Sequence, residues 1–254
     1  MGKSKDLASG ETRFVNTAGD TMTGNLGVKA TLKTTHADAD VVQFGGTGYL
    51  ANWEDAETYL AENLYVNSSG GYRYLTNSHA SLYSQTTGKH QFKVAPSGSA
   101  DGTPALTTGL EIDNSGIVTN PNQPAFNATQ GTSINISGTV TLTYNSVRSN
   151  ASNSFNGSTG IFTAPVAGQY IFTHKALYYP FSTTEYLDFY SYVNSSIRNR
   201  YEQTGNAGEH TQVNYAEVVY LNANDTFKIV CSNRNIGAFT MYGAENHFSG
   251  RLLG

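Results

Sequence analysis

The segment that decides the fold of this chain is Phe162-Thr-Ala-Pro165-Val-Ala-Gly168-Gln-Tyr170-Ile-Phe172. Pro165 fixes φ and has no N–H to donate, so it suits a strand edge or a turn. Gly168 tolerates a positive φ, which we expect where the chain reverses. After it, Tyr170 and Phe172 recur at the two-residue period of a pleated strand. The segment therefore predicts a strand, a turn and a second strand.

A second strand pair is predicted downstream. An apolar run enters at Val218–Leu221, and Asn222–Asp225 has the composition of a turn. The residues that leave the turn on one face are Phe227, Ile229 and Cys231. Cys231 is the single cysteine and cannot form an internal disulfide. Its place in this alternation favours a small buried hydrophobe over a reactive thiol.

Residues around these two pairs keep the spacing of a known signature. With the segment above, they resemble the complement C1q globular-head family, whose members are trimeric jelly rolls related to tumour necrosis factor. The resemblance covers about residues 125–254 and implies a jelly-roll head with these signature core residues: Tyr144, Asn150, Phe155, Phe162, Gly168, Tyr170, Phe172, Phe248 and Gly250.

Two positions depart from the family pattern. Tyr144 stands where phenylalanine is usual, and His174 stands where a final aromatic residue is expected. Both residues keep a planar ring and add a polar group to it. The departures bear on details of the core, and the predicted fold is unchanged.

Composition favours β-structure and excludes several classes of function. Only 13% of the 254 residues are charged, whereas glycine and tyrosine are abundant, which favours turns and strands over long helices. A net charge of −4 argues against a nucleic-acid partner, which requires a basic face. No apolar run follows Met1, so we expect neither a secretory signal nor membrane insertion.

The N-terminal part contains a second resemblance. Ala18-Gly-Asp-Thr-Met22-Thr-Gly-Asn-Leu26 resembles a repeat of bacteriophage tail fibres, and here it occurs once. Such polar stretches have too few apolar residues for a core of their own, but three chains can share one. We therefore expect an attachment peptide over residues 1–14, an intertwined trimeric β-rich shaft over 15–121 and the head over 122–254.

One helix is predicted, at residues 52–64. Asn52 suits an N-cap, and acidic residues follow it near the positive end of the helix dipole. Apolar residues recur at helical spacing, namely Ala56, Tyr59, Leu60 and Leu64. Such a helix would serve either as a joint between domains or as a cover over an apolar patch.

Two further segments mark turns and a boundary. Leu110-Glu-Ile-Asp113-Asn-Ser-Gly116-Ile-Val118 is typical of a hairpin with its turn at Asp-Asn-Ser-Gly, and it also resembles strand pairs of phage fibre shafts. Asn120–Pro124 contains two prolines and no apolar partner, which indicates the boundary between shaft and head.

Metal and catalytic sites are weakly indicated. His36, Asp38 and Asp40 alternate and could offer metal ligands, although a solvated loop explains them as well. Asp225 is expected to stabilise its turn, and whether a metal lies on the threefold axis is left open. No nucleophile elbow, phosphate loop or Cys/His metal spacing occurs, so we predict neither an enzyme nor a cofactor.

Aromatic residues crowd the first half of the head. Tyrosine offers an apolar face and a hydroxyl group, and it serves recognition surfaces, subunit interfaces and sandwich cores alike. The alternation across Tyr186–Val193 indicates that half of these rings point inward. The candidate receptor-binding residues are Tyr178, Tyr179, Arg198, Arg200, Tyr201 and His210.

Together these patterns predict a homotrimeric tail-fibre or fibre-tip protein of a phage virion, made in the host cytoplasm. Its N-terminal segment would attach to a tail or baseplate protein, and its head would bind a bacterial surface glycan or protein. Two alternatives stay open. One is a structural adaptor whose head binds another virion protein, and the other is a spike that degrades glycans.

Overall fold

The structure is a computed structural model that describes residues 26–28, 30, 32–53, 57–179, 186–204, 209–234 and 239–253. The chain divides into two compact units, residues 1–119 and 120–254. The described residues form strands and one short 3₁₀ turn, so the protein is mainly β, as predicted. The predicted attachment peptide and the fibre-like motif up to Asn25 lie outside the described residues.

The first unit is built on one extended sheet. Its strands run in the order β1-β2-β3-β4-β7-β8-β9-β10, with β1 parallel to β2 and every later pair antiparallel. Strands β5 and β6 form a separate hairpin. The strands are β1 (Leu26–Val28), β2 (Ala39–Phe44), β3 (Gly48–Trp53), β4 (Glu57–Glu62), β5 (Leu64–Val66), β6 (Tyr72–Tyr74), β7 (Ser78–Thr86), β8 (Lys89–Gly98), β9 (Thr107–Ile112) and β10 (Val118–Thr119).

The helix predicted at 52–64 is wrong. Residues 57–62 form β4, which pairs with β3 and β7. In β4 burial alternates every second residue: Tyr59 and Ala61 are buried, and Leu60 is exposed. Both faces of β4 carry apolar residues, so Tyr59 and Leu60 are adjacent in the sequence although their side chains point to opposite faces of the sheet. Adjacent apolar residues also occur on one face of a helix, and for this reason the pattern was read as helical.

The hairpin predicted around Asp113 is confirmed. Strands β9 and β10 pair in antiparallel fashion, and the Asp113 side chain accepts hydrogen bonds from the backbone of Ser115 and Ile117. Gly116 has φ +79°, a conformation that glycine adopts without strain.

The second unit is a two-sheet sandwich of the jelly-roll type. One sheet has the order β12-β22-β17-β23-β11-β14, with β20 on the free side of β17. The other has the order β15-β16-β21-β18-β19, with β13 beside β21. The elements are β11 (Ala125–Thr129), β12 (Ile134–Ile136), β13 (Thr139–Thr141), β14 (Ser146–Ala151), β15 (Phe155–Asn156), β16 (Ile161–Thr163), β17 (Gly168–Tyr179), β18 (Tyr186–Val193), β19 (Ser196–Thr204), β20 (Thr211–Leu221), β21 (Thr226–Arg234), β22 (Phe239–Met241), a 3₁₀ turn (Gly243–Glu245) and β23 (His247–Leu252).

Aromatic rings from both sheets fill the core. Phe172 on β17 stacks on Phe227 of β21 with centroids 3.9 Å apart and an interplanar angle of 3°. Phe126 stacks on Phe155 at 4.2 Å. Because such a core is dense, a side chain added inside it has to displace a ring.

The signature residues lie in this core or support it. Asn150 holds β15 as a strand partner would: its Nδ2 donates to the Phe155 carbonyl at 2.8 Å, and its Oδ1 accepts from the Phe155 N–H at 3.1 Å. The expected positive φ at Gly168 is wrong, because Gly168 is the first residue of β17 and pairs with Leu221. Fully or almost fully buried are Tyr144, Phe155, Phe162, Tyr170, Phe172 and Phe248.

The downstream strand pair turns as predicted but is not a hairpin. Asp225 accepts a hydrogen bond from the Asn222 N–H at 2.8 Å and another from Asn194 Nδ2 at 2.9 Å, which confirms its role in the turn. However, β20 pairs with β17 and β21 pairs with β18, so the turn carries the chain from one sheet to the other. The buried face of Phe227, Ile229 and Cys231 is as predicted.

Candidate functional site

The outward face of β18 and β21 carries a row of tyrosines and cations. Alternation along β18 directs Leu187 and Phe189 into the core and leaves Tyr190 and Tyr192 on the other face, half-buried. Lys228 of β21 stands opposite Tyr192 in the ladder, with Nζ 5.3 Å from the ring centroid. This distance is within the range of a cation–π interaction.

A buried carboxylate anchors this face. Asp188 is fully buried and accepts hydrogen bonds from Arg200 Nε at 2.9 Å and from the Tyr190 hydroxyl at 2.9 Å. Arg200 also bonds to Glu202. Burial, followed by the Asp188 contact, raises the pKa of Tyr190, and the hydrogen bond to Asp188 raises the pKa of Arg200. The guanidinium is thus held between two carboxylates, opposite Tyr190 in the ladder.

At the edge between β19 and β20 the polar and aromatic side chains contact one another across the two sheets. Tyr201 stacks on Tyr215 with centroids 3.9 Å apart, and Asn199 Nδ2 donates to the carboxylate of Glu217. Arg198 Nε lies 3.6 Å from the same carboxylate, which is nearly buried. Burial raises the pKa of both tyrosines. These contacts join the two sheets, so the edge is part of the framework.

The predicted receptor-binding residues fall into separate groups. Tyr178 is 1% exposed and belongs to the core, which is the alternative that the sequence left open. Tyr179 is half-buried against the ring of His210 at 5.4 Å, and His210 in turn contacts Tyr242 at 5.1 Å. On β19 lie Arg198, Arg200 and Tyr201.

Sequence reasoning missed several members of the tyrosine and cation face. Tyr190 and Tyr192 belong to the aromatic segment 186–193 but were not named as binding residues. Their alternation with Leu187 and Phe189 was enough to predict that these two rings point outward. Lys228 had no such signal, because its contact depends on the pairing of β18 with β21.

The metal candidates do not converge. His36 and Asp38 lie at a turn with Nδ1 3.5 Å from the Asp38 carboxylate, and Asp40 is exposed in β2. Across the described ranges no cluster of three or more His, Cys, Asp or Glu residues could hold a metal ion. Over the same ranges no helix is long and apolar enough to cross a bilayer.

The opposite outward face of the sandwich carries a row of small uncharged side chains, which we call the small face. Lys175 and His247 flank this row on one side, and Arg251 flanks it on the other. Ala216, Thr173 and Ser249 stand side by side on β20, β17 and β23, and Thr173 Oγ1 lies 2.6 Å from Ser249 Oγ. Beside them Val218 is 47% exposed and Tyr220 is 61% exposed. Neighbouring exposed apolar groups of this kind are common at surfaces that contact other proteins.

Several solved structures are similar to about half of this chain. The globular domain of zebrafish complement 1qA protein is 20% identical, covering 52% of this chain and 98% of that one, with a TM-score of 0.42. Eiger TNF from S. frugiperda is 14% identical, covering 52% and 94%, with a TM-score of 0.40. Murine APRIL at pH 5.0 is 10% identical, covering 52% and 99%, with a TM-score of 0.42.

Among curated proteins no match was found. The family model of the C1q domain matches residues 125–253, which is half of the chain and nearly all of its second unit. The match spans every strand of the sandwich from β11 to β23. This chain therefore belongs to the C1q domain family.

Proposed function

We propose that this chain is a homotrimeric, non-catalytic binding protein: a phage tail fibre or fibre tip that binds a receptor on the bacterial surface. The observation that carries the proposal is the contrast between the two outward faces of the C1q unit. One face has a central row of small uncharged side chains beside the exposed Val218 and Tyr220, and the other carries Tyr190 and Tyr192 beside Arg200 and Lys228.

The small face suits association of three copies. Exposed apolar groups at Val218 and Tyr220 are costly in water, and the row formed by Ala216, Thr173 and Ser249 offers little steric obstruction. Association around an axis would bury this face in every copy.

The tyrosine and cation face suits ligand binding. In a trimer built on the small face it would point away from the axis, and three copies would meet a repetitive surface together. Such linkage raises avidity by roughly 10²–10⁴ over a single weak site. Aromatic rings beside a guanidinium match the mixed apolar and polar surface of a sugar or of a polar peptide.

The assignment to a phage fibre rests on the N-terminal sequence. Residues 18–26 resemble the repeat of tail fibres, and the segment before them would attach to a tail or baseplate protein. A β-rich unit follows, as a fibre shaft would require.

The test is binding of the purified, labelled full-length chain to a panel of bacteria, with competition against phage adsorption. We expect saturable binding to the host strain and reduced adsorption. The double variant Tyr192→Ala/Lys228→Ala should weaken binding at least 10-fold. The matched control Ile117→Ala/Val166→Ala changes two exposed residues outside both faces and should bind normally.

Arg200 is unsuitable for this test, because its removal would leave the buried Asp188 carboxylate without its cation and destabilise the fold. A folded trimer that binds no bacteria and leaves adsorption unchanged would contradict the proposal. Release of oligosaccharide from host capsule would instead favour the glycan-degrading alternative.

A further inference from the structure

The sheet of the first unit has apolar side chains on both faces. Its inner face is covered and forms a core with Tyr49, Tyr59 and Leu82 among its buried members. An antiparallel sheet that has one covered face normally turns polar residues outward on the other. Here the outward face departs from that rule.

A continuous apolar row crosses this outward face. Antiparallel registers place one apolar residue from each of six neighbouring strands directly opposite the next. Leu50 is 42% exposed, Leu60 50% and Phe92 46%. From β2 to β9 the row consists of Val42, Leu50, Leu60, Tyr83, Phe92 and Leu110. We call this row and its two flanking rows the open face.

The charged residues of the open face lie in its two flanking rows. On one side Phe44 and Val94 extend the apolar surface, and Glu62 lies between them. On the other side lies the exposed Asp40, whose row otherwise carries mainly polar uncharged side chains. A depression of about 470 Å³ opens among Phe44, Leu60, Phe92 and neighbouring residues. Glu62 and Lys93 also line this depression, whereas the central row of the open face carries no charged side chain.

The open face is large enough to form part of a stable interface. Six strands about 4.8 Å apart and three rows about 7 Å apart give roughly 600 Å² for each copy. Three such faces that meet around one axis would bury roughly 1,800 Å² together, which is within the range of specific protein interfaces. Such a surface would associate weakly between free chains and firmly between chains that are already joined.

We propose that the open face of each copy packs against the open faces of the other two copies of this chain in the same trimer. This inference rests on the proposed trimer of the C1q unit, which would hold the first units at a local concentration on the order of millimolar. A copy of the same face supplies an equal apolar area whose central row carries no charged side chain. Packing of this kind would give the copies a shared second core.

The experiment uses the full-length chain carrying Leu60→Cys, with Ile117→Cys as the matched control. Ile117 is 58% exposed, lies in the same unit and follows the turn at Asp113, away from the apolar row. Each thiol is tested for reaction with a maleimide and for cross-linking between chains, and native mass spectrometry gives the number of copies. We expect a trimer in which the Leu60→Cys thiol reacts at least 10-fold more slowly than the control and forms cross-links between chains.

The other outcomes overturn the inference in distinguishable ways. If the trimer forms but both thiols react at equal rates, the open face is solvated and this inference fails while the proposed function stands. If the Leu60→Cys thiol is protected without cross-links between chains, its cover is not a second copy. A monomer would contradict both the proposed function and this inference.

Discussion

The rings of Tyr201 and Tyr215 lie parallel, with centroids 3.9 Å apart and an interplanar angle of 10°. Tyr201 belongs to β19 in one sheet and Tyr215 to β20 in the other. The stack therefore bridges the two sheets where β19 and β20 form neighbouring edges of the sandwich.

Removing one ring of this stack should destabilise the contact between β19 and β20. Tyr215→Ala is expected to lower the free energy of unfolding by about 3 kcal/mol, as for other large aromatic residues truncated in a core. Tyr215→Phe keeps the ring and removes a hydroxyl for which the described residues provide no hydrogen-bond partner, so its effect should stay within about 1 kcal/mol. Urea unfolding measures both, and equal losses would show that the stack is not what stabilises the edge.

His174 should make the protein sensitive to acid. Burial lowers its pKa to about 3, and neither ring nitrogen has a hydrogen-bond partner among the described residues. Because the folded pKa lies below that of the unfolded chain, the unfolded chain binds the proton first as the pH falls. Stability from this residue is complete above about pH 6.5 and falls by about 1.4 kcal/mol for each pH unit below it.

The variant His174→Phe tests this pH dependence. It keeps an aromatic ring among Tyr144, Phe189 and Phe248 and removes the titrating group. Unfolding measured between pH 4 and 7 should show a flatter slope for the variant. The control His79→Phe changes an exposed histidine and should keep the slope of the natural chain. An unchanged slope in His174→Phe would assign the acid sensitivity to other groups.

Gly250 should tolerate no larger residue. A Cβ at this position would lie 2.5 Å from Cδ1 of Phe172 and 2.8 Å from Cε1 of Phe126. Gly250→Ala is therefore expected to lower stability by about 1–3 kcal/mol through overpacking. Gly46→Ala is the control, because no atom lies within 4 Å of its added Cβ. Equal melting temperatures for the two variants would contradict this role of Gly250.

Cys231 should be inert in the folded protein. Its side chain is fully buried, and burial raises the pKa of the thiol to about 12. We expect no reaction with a maleimide at pH 8 until denaturant is added. The exposed thiol of Ile117→Cys serves as the reactive reference. Rapid labelling of the natural chain under native conditions would show that the sandwich opens around β21.

Much of the fold of the C1q unit could be predicted from the sequence, because the sequence features that specify it are local. Pro165, the alternation from Tyr170 and the turn at Asp225 each act within a few residues, and the structure places the strands and the turn accordingly. The pairing of β20 with β17 could not be predicted from the sequence, because it joins segments far apart in the chain. For that reason a connection between sheets resembled a hairpin.

The first unit shows where periodicity misleads. Tyr59, Leu60 and Leu64 fit a helical face, but β4 has apolar residues on both of its faces. A strand of this kind loses the simple alternation that identifies it. The apolar residues on the outward face of β4, which led to the wrong helix prediction, are part of the open face. The contact between Lys228 and Tyr192 likewise depends on register and has no signal in the sequence.

The most direct measurement is the native mass of the full-length folded chain at micromolar concentration. A single species with three times the mass of one chain is expected, and it should persist on dilution. A well-folded species with the mass of one chain would contradict the trimeric binding protein proposed here.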